Sequence, residues 1–214
     1  MGDEFWHGGD RHLCLSRNVD WDASGTSGAG AYSNNATILV GGYTGGAPGA
    51  AAFAYLPSSA ATAASNIQGD IWVNVSQSAN ANMTFGGYGP HTMFHEFGHA
   101  IGLSHPSAYN ADENASPNYI TNAAYFNDSR LFSAMSYFGS GNTQGNLAFF
   151  SAAAQMHDIA AAQRLYGANP NTRTGDSVYG FNSNTGLAHF SATSSSQGIV
   201  FAVWDAGGVD TFDF

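Results

Sequence analysis

His91-Thr92-Met93-Phe94-His95-Glu96-Phe97-Gly98-His99-Ala100-Ile101-Gly102-Leu103-Ser104-His105-Pro106 is the stretch on which the reading of this chain turns. His95 and His99 lie four residues apart. On a helix of about 3.6 residues per turn they share one face and can aim ring nitrogens at one ion. Glu96 sits beside that ion without having to bind it. Gly102 can take a positive φ and end the helix sharply, and Pro106 cannot extend it. The chain can then turn back so that His105 supplies a third nitrogen. Three neutral imidazoles with one position left open form the catalytic pattern for zinc, not the closed structural one. Zinc lowers the pKa of its water, and Glu96 is placed to take the proton. A lone His-Glu-x-x-His arises by chance fairly often. The extended form with Gly102 and His105 is far more demanding.

About 30 residues past His105 comes Ser133-Ala134-Met135-Ser136-Tyr137-Phe138, in a Gly/Asn/Ser-rich surround. A methionine there can be an ordinary adaptable core filler. Together with the extended histidine motif it completes the metzincin pattern of zinc motif and Met-turn. His95 to Pro106, followed by Ser-x-Met-Ser-Tyr, resembles the serralysin family of bacterial secreted metzincin proteases. That resemblance implies Met135 as the base beneath the metal. It implies Tyr137 as an additional zinc ligand in the resting state, able to swing away and stabilise the transition state. A buried aromatic whose hydroxyl bonds to backbone is the plainer reading of Tyr137.

The 214 residues are enough for one full core and part of another, and 43% hydrophobic content supports folding. Charged residues are only 9%, and lysine is absent. Five arginines (11, 17, 130, 164 and 173) face fifteen acids, for a net charge of −10. No basic patch can be assembled, which argues against nucleic acid or an anionic membrane as partner. Acid clusters suit calcium, a hard cation that takes oxygen ligands. The single Cys14 excludes an intrachain disulfide. The alternative for it, an inhibitory thiolate, is disfavoured because His12-Leu13-Cys14-Leu15-Ser16 does not resemble the matrixin switch motif. No stretch reaches the about 18–20 apolar residues of a membrane span. No charged n-region with an apolar h-region opens the chain, so no amino-terminal secretory signal is expected. The resemblance instead implies export through a C-terminal signal beyond Phe214.

Residues 1–35 show no clean period of two or 3.6 and stay unassigned, with His7 and His12 expected at the surface. The family's long first helix and first strand are not legible there, as in a fragment, a shortened form or a chain with foreign leader residues. From residue 36 three strands are expected: 36–42, 52–57 with Pro57 at its end, and 69–74 with Ile71 and Val73 on one face and Trp72 on the other. The edge around 53–57 is the candidate to hold an extended peptide by main-chain hydrogen bonds, an ordinary covered edge being the alternative. A helix over 91–103 carries the ligands, with His91 one turn earlier as a helix-start or supporting residue. Residues 106–150 should form the floor of the cleft. A second helix is expected over 151–165, capped by Ser151 and ended at Tyr166-Gly167. There His157 stands where the family often has an acid and is not a fourth ligand. Asp158 is by resemblance a structural carboxylate against the Met-turn, a solvated helix charge being the alternative.

After Asn169-Pro170 the text changes to a turn-rich linker, a strand over 198–204, and Asp205-Ala206-Gly207-Gly208-Val209-Asp210. This last part resembles the entry to the family's calcium-binding β-roll. The resemblance implies calcium at the Arg173, Gly175 and Ser177 region (Ser177 standing where the family usually has Thr) and at Asp205, Gly207, Gly208 and Asp210. No Gly-Gly-x-Gly-x-Asp repeat follows, so some downstream calcium ligands are expected to be missing.

The resemblance covers roughly residues 36–214. It implies an α+β fold: a metzincin catalytic domain over 36–168 with a twisted, mostly parallel sheet, an active-site helix and a C-terminal helix, then a linker and the beginning of a β-roll over 169–214. It implies a secreted, extracellular, monomeric zinc endopeptidase that acts on protein or peptide substrates, with a proteinaceous protease inhibitor as a further partner. An inactive relative that binds zinc and calcium as a structural or adhesive module is the alternative. A matrixin-like protease of other specificity is a second, and Pro106 with Tyr137 points to the serralysin side.

Overall fold

The structure is a computed structural model. It describes residues 38–44, 51–58, 67–110 and 116–214. The unassigned segment with His7, His12 and Cys14, the first residues of the expected strand 36–42, and part of the loop after His105 lie outside the described residues.

Among the described residues three short strands build the first sheet: β1 (Val40–Tyr43), β2 (Ala52–Ala54) and β3 (Ile71–Asn74). β3 is central, in the order β1-β3-β2. β1 runs parallel to it, with Val40 opposite Ile71, and β2 antiparallel, with Phe53 opposite Trp72. The mostly parallel sheet of the sequence reading is thus corrected to one pairing of each kind among the described strands. Ile71 and Val73 are buried on one face of β3, while Trp72 turns to the other face, where Asn74 is also buried. There the Trp72 ring lies over Gly41, where a Cβ would overlap it. Among the described strands β2 lies at the edge, and Tyr55 and Gly69 extend its pairing by one further exchange (Tyr55 N–H to Asp70 O, 3.0 Å; Gly69 N–H to Tyr55 O, 2.8 Å). Phe53, Tyr55 and Leu56 are exposed along it.

Against this sheet packs α2 (Tyr88–Ala100), after the single turn α1 (Ser78–Ala81). α2 begins three residues before the expected start at His91. Pro90 falls in its first turn, where a missing N–H costs nothing because the first four helical N–H groups have no partner within the helix. Ile38, Ile71, Val73, Ala100, Ile101, Leu103 and Met135 form the core between sheet and helix. Gly102, with φ +99, turns the chain out of the helix.

Beyond it come the single turn α3 (Tyr119–Asn122), a 3₁₀ turn (Ser140–Thr143) and α4 (Met156–Tyr166). The expected helix start at Ser151 is corrected to Met156. Ser151 does not cap α4; its hydroxyl is committed to Ala153 O (2.6 Å) and receives the Gln155 amide (2.6 Å). Gln155 and Asp158 instead form the capping box, the Asp158 carboxylate accepting Gln155 N–H at 2.8 Å. Gly167, with φ +86, ends the helix.

The C-terminal part carries one two-stranded parallel ladder, β4 (Val178–Gly180) with β5 (Thr211–Asp213). Tyr179 is fully buried there among Phe190, Phe201 and Phe212. The strand expected over 198–204 does not form. Gly198 lies directly on the Phe149 ring, where no side chain would fit, and Trp204 Nε1–H donates to Asn169 O at 3.1 Å. Contacts to other segments hold this stretch in place of a ladder. Among the described residues no helix is long and apolar enough to cross a membrane.

Candidate metal centre

His95 and His99 come from consecutive turns of α2, and His105 from the loop that Gly102 sends back. Their Nε2 atoms lie 3.1 Å from one another in all three pairs. These are not hydrogen bonds. Each Nδ1 faces a backbone carbonyl: His95 to Ala134 O (2.9 Å), His99 to Leu103 O (2.7 Å), His105 to Tyr109 O (2.8 Å). A carbonyl only accepts, so each Nδ1 carries the hydrogen and each Nε2 presents a lone pair. Three lone pairs converging without a proton between them repel one another unless a cation lies among them. Tetrahedral zinc with bonds of about 2.0–2.1 Å sets its nitrogen ligands about 3.3 Å apart. The donor set fits such an ion in kind, number and spacing. Among the described residues this is the one group of three such side chains whose ligand atoms converge.

Burial keeps the rings neutral, as ligands must be. It pushes His99 down to about 4, His95 well below the ordinary imidazole range, and His105 downward too. His91 is buried one turn earlier, donates from Nδ1 to Ser151 O at 2.9 Å, and is likewise pushed down to about 4 by burial. It does not join the three. Glu96 is 6% exposed, and its Oε2 has no hydrogen-bond partner among the described residues. Burial alone pushes its carboxyl up to about 8. A nearby cation draws such a group back to its charged form.

Met135, 1% exposed, lies under α2. Gly98 makes room for it, since a Cβ there would stand 2.4 Å from the Met135 sulfur. Tyr137 packs its ring against His105 (4.3 Å between centroids) and stacks on His95 (5.7 Å). Asp158 is buried and takes Ser133 Oγ–H at 2.6 Å and Ala134 N–H at 2.8 Å. It therefore holds the residue whose carbonyl orients His95. Burial pushes the Asp158 carboxyl up, and hydrogen bonds from Ser133, Gln155 and the Met-turn backbone oppose that. His157 stacks on Phe132 (5.5 Å) outside the cluster.

Sequence reasoning missed the carbonyl anchors Ala134, Leu103 and Tyr109, and also Asp128, which is fully buried and bonded to Tyr109 and Ser136. The only trace of these in the sequence is the pair of serines flanking Ala134-Met135.

In the C-terminal part, the stretch 173–177 faces 205–210. Arg173 has φ +50 and pairs with Asp205 (3.8 Å). Asp205 takes Tyr179 O–H (2.5 Å) and Gly207 N–H (3.1 Å), and Asp210 takes Ser177 N–H (2.9 Å). Gly208, at φ +106, passes so close to Gly175 O that a side chain could not be placed there. These carboxylates bind N–H and O–H groups and do not converge on a point.

The family model for the serralysin C-terminal region of M10 peptidases matches residues 168–214. Serralysin B of Dickeya chrysanthemi is 54% identical over 69% of this chain and 31% of its own length. The chain belongs to the serralysin family. The serralysin of Photorhabdus sp. (strain Az29) is 44% identical over 85% of the chain, and the metallopeptidase AprA of Pseudomonas marginalis 47% over 83%. This serralysin-family chain spans 31–37% of the length of these relatives. The family pairs a metzincin architecture with a β-roll, and the mixed α and β elements described above agree with that.

Proposed function

We propose that this chain acts as a secreted, extracellular zinc-dependent endopeptidase that hydrolyses internal peptide bonds of extended proteins. The observation that carries the reading is the convergence of three Nε2 lone pairs at 3.1 Å, each ring locked by a carbonyl at Nδ1. In this reading residues 36–168 form the catalytic domain and 169–214 the linker and beginning of a calcium-binding β-roll.

His95, His99 and His105 would hold zinc, with Tyr137 joining them in the resting state. Zinc supplies Lewis acidity, polarising a carbonyl and making water a nucleophile at neutral pH. Glu96 accepts the proton of the attacking water and passes it to the leaving amine. The Tyr137 phenol, freed from the resting arrangement, donates to the tetrahedral oxyanion. The exposed edge of β2 offers main-chain groups to an extended substrate. Calcium, at the Arg173, Gly175 and Ser177 region and at Asp205, Gly207, Gly208 and Asp210, would use glycine carbonyls and carboxylates. The chain acts as a monomer, with protein or peptide substrates and a proteinaceous inhibitor as partners. The intact, buried Glu96 argues against the inactive structural or adhesive alternative.

Glu96→Gln removes the proton acceptor and leaves the three rings in place. It should keep zinc and lose casein cleavage by about 10²–10⁴-fold. A variant that cuts casein as fast as the parent contradicts the mechanism.

A further inference from the structure

Two of the three rings of the centre are carried by α2, whose hydrogen-bonded backbone fixes them. The third, His105, sits on a loop, and something else must hold it. Asp128 is 0% exposed. Its Oδ1 takes Tyr109 O–H at 2.9 Å and Ser136 Oγ–H at 2.7 Å, while Oδ2 has no partner among the described residues. Tyr109 is 5% exposed and touches His105 twice. Its carbonyl takes the Nδ1 hydrogen at 2.8 Å, and its ring stacks on the imidazole at 5.3 Å and 12°. Ser136 lies between Met135 and Tyr137, and its hydroxyl also takes Phe138 N–H at 3.1 Å. One carboxylate oxygen therefore ties the loop of the third ring to the turn that carries Tyr137. Burying a carboxylate is costly unless its partners are well placed. Two hydroxyls on one oxygen are a sparse compensation for mere packing.

We propose that Asp128 is a positioning residue. Through the Tyr109 hydroxyl and Ser136 it sets His105 and the Tyr137 phenol relative to one another at the metal point, without touching metal or substrate. This rests on the zinc reading above. The arrangement complements that of Asp158, which holds Ser133 and Ala134 and so His95. Two buried aspartates grip the Met-turn from opposite ends, one for a helix-borne ring and one for the loop-borne ring.

The test uses the full chain with Tyr109→Phe, which deletes one oxygen and keeps the ring stack and the carbonyl. Ser136→Ala serves in its place if that variant does not fold. Tyr119→Phe is the control, since its hydroxyl bonds to Phe126 O on the surface. Zinc affinity is measured by competition with a chromophoric chelator, the visible spectrum is recorded with cobalt in place of zinc, and kcat and KM are measured on a quenched peptide. Tyr109→Phe should weaken zinc binding by about 10–100-fold, shift the cobalt bands, and lower kcat about tenfold with KM within about twofold. Asp128→Asn, which keeps an acceptor oxygen for both hydroxyls, should restore most of the cobalt spectrum that Asp128→Ala loses. Parent zinc affinity, cobalt spectrum and kcat in Tyr109→Phe, or loss of zinc-free stability alone, would overturn the positioning role and leave the zinc reading standing. A parent chain that takes up neither zinc nor cobalt would overturn both.

Discussion

The histidine centre and the facing loops 173–177 and 205–210 both look like places for a cation, and they are built in opposite ways. In the centre every donor atom is already turned inward. Backbone carbonyls fix the rings, burial keeps them neutral, and the Nε2 atoms stand 3.1 Å apart. In the loops the acids are occupied elsewhere: Asp210 by Ser177 N–H, Asp205 by Tyr179, Gly207 and Arg173, and Asp176 by Val209 N–H (2.8 Å). A directional set of imidazole nitrogens is arranged by packing and by the hydrogen bonds behind each ring. A hard cation takes oxygen ligands, from carboxylates and backbone carbonyls. The nitrogens of the first are aimed by backbone carbonyls, and the oxygens of the second are spent on hydrogen bonds within the loops.

His99→Ala should break the contrast most severely. Zinc binding and casein cleavage should both disappear, while Asp210→Ala should keep both and change only the calcium dependence of the thermal midpoint. Equal zinc loss in the two variants would mean that the sites are not independent.

Acid should act next, and on the histidine side. The buried ring of His91 and the half-buried ring of His99 are both pushed from the ordinary 6.5 down to about 4. Each therefore takes a proton more readily in the unfolded chain than in the folded one. The stability they confer is complete above about 6.5 and is lost as pH falls toward 4. For His91, 4% exposed, the drop is worth about 3 kcal/mol. The thermal midpoint of zinc-free protein should fall steadily across that window. A flat midpoint between pH 6.5 and 4 would mean that the rings are not buried as described.

Asp158→Ala has a smaller expected effect. It leaves Ala134 N–H and Gln155 N–H without their acceptor and uncaps α4, which should cost about 2 kcal/mol by urea unfolding. A change below about 0.5 kcal/mol would mean that the carboxylate acts as an ordinary surface charge.

The parts legible in the sequence are those where chemistry and spacing coincide. His95, His99 and His105 are a pattern of residue type at fixed offsets, and Gly102 marks the turn that returns the third ring. β3 is legible because one face is buried, and Ile71, Trp72 and Val73 alternate accordingly. The carbonyls of Ala134, Leu103 and Tyr109 are not marked by residue type, since every residue has a carbonyl and only the fold decides where it points. Asp128 is one more acid in an Asn/Ser-rich loop, and only packing turns it inward. α2 starts at Tyr88, three residues before the start expected at His91, and Pro90 in its first turn costs the helix nothing. The segment 198–204 has the composition of a strand. Nothing local shows that Gly198 must lie flat on Phe149.

The most direct test of the central claim is the zinc content of the purified chain, measured alongside casein hydrolysis with and without a chelator in the same preparation. The account predicts one zinc per chain and cleavage that the chelator abolishes and added zinc restores. A chain without zinc, or cleavage that the chelator leaves untouched, would contradict it.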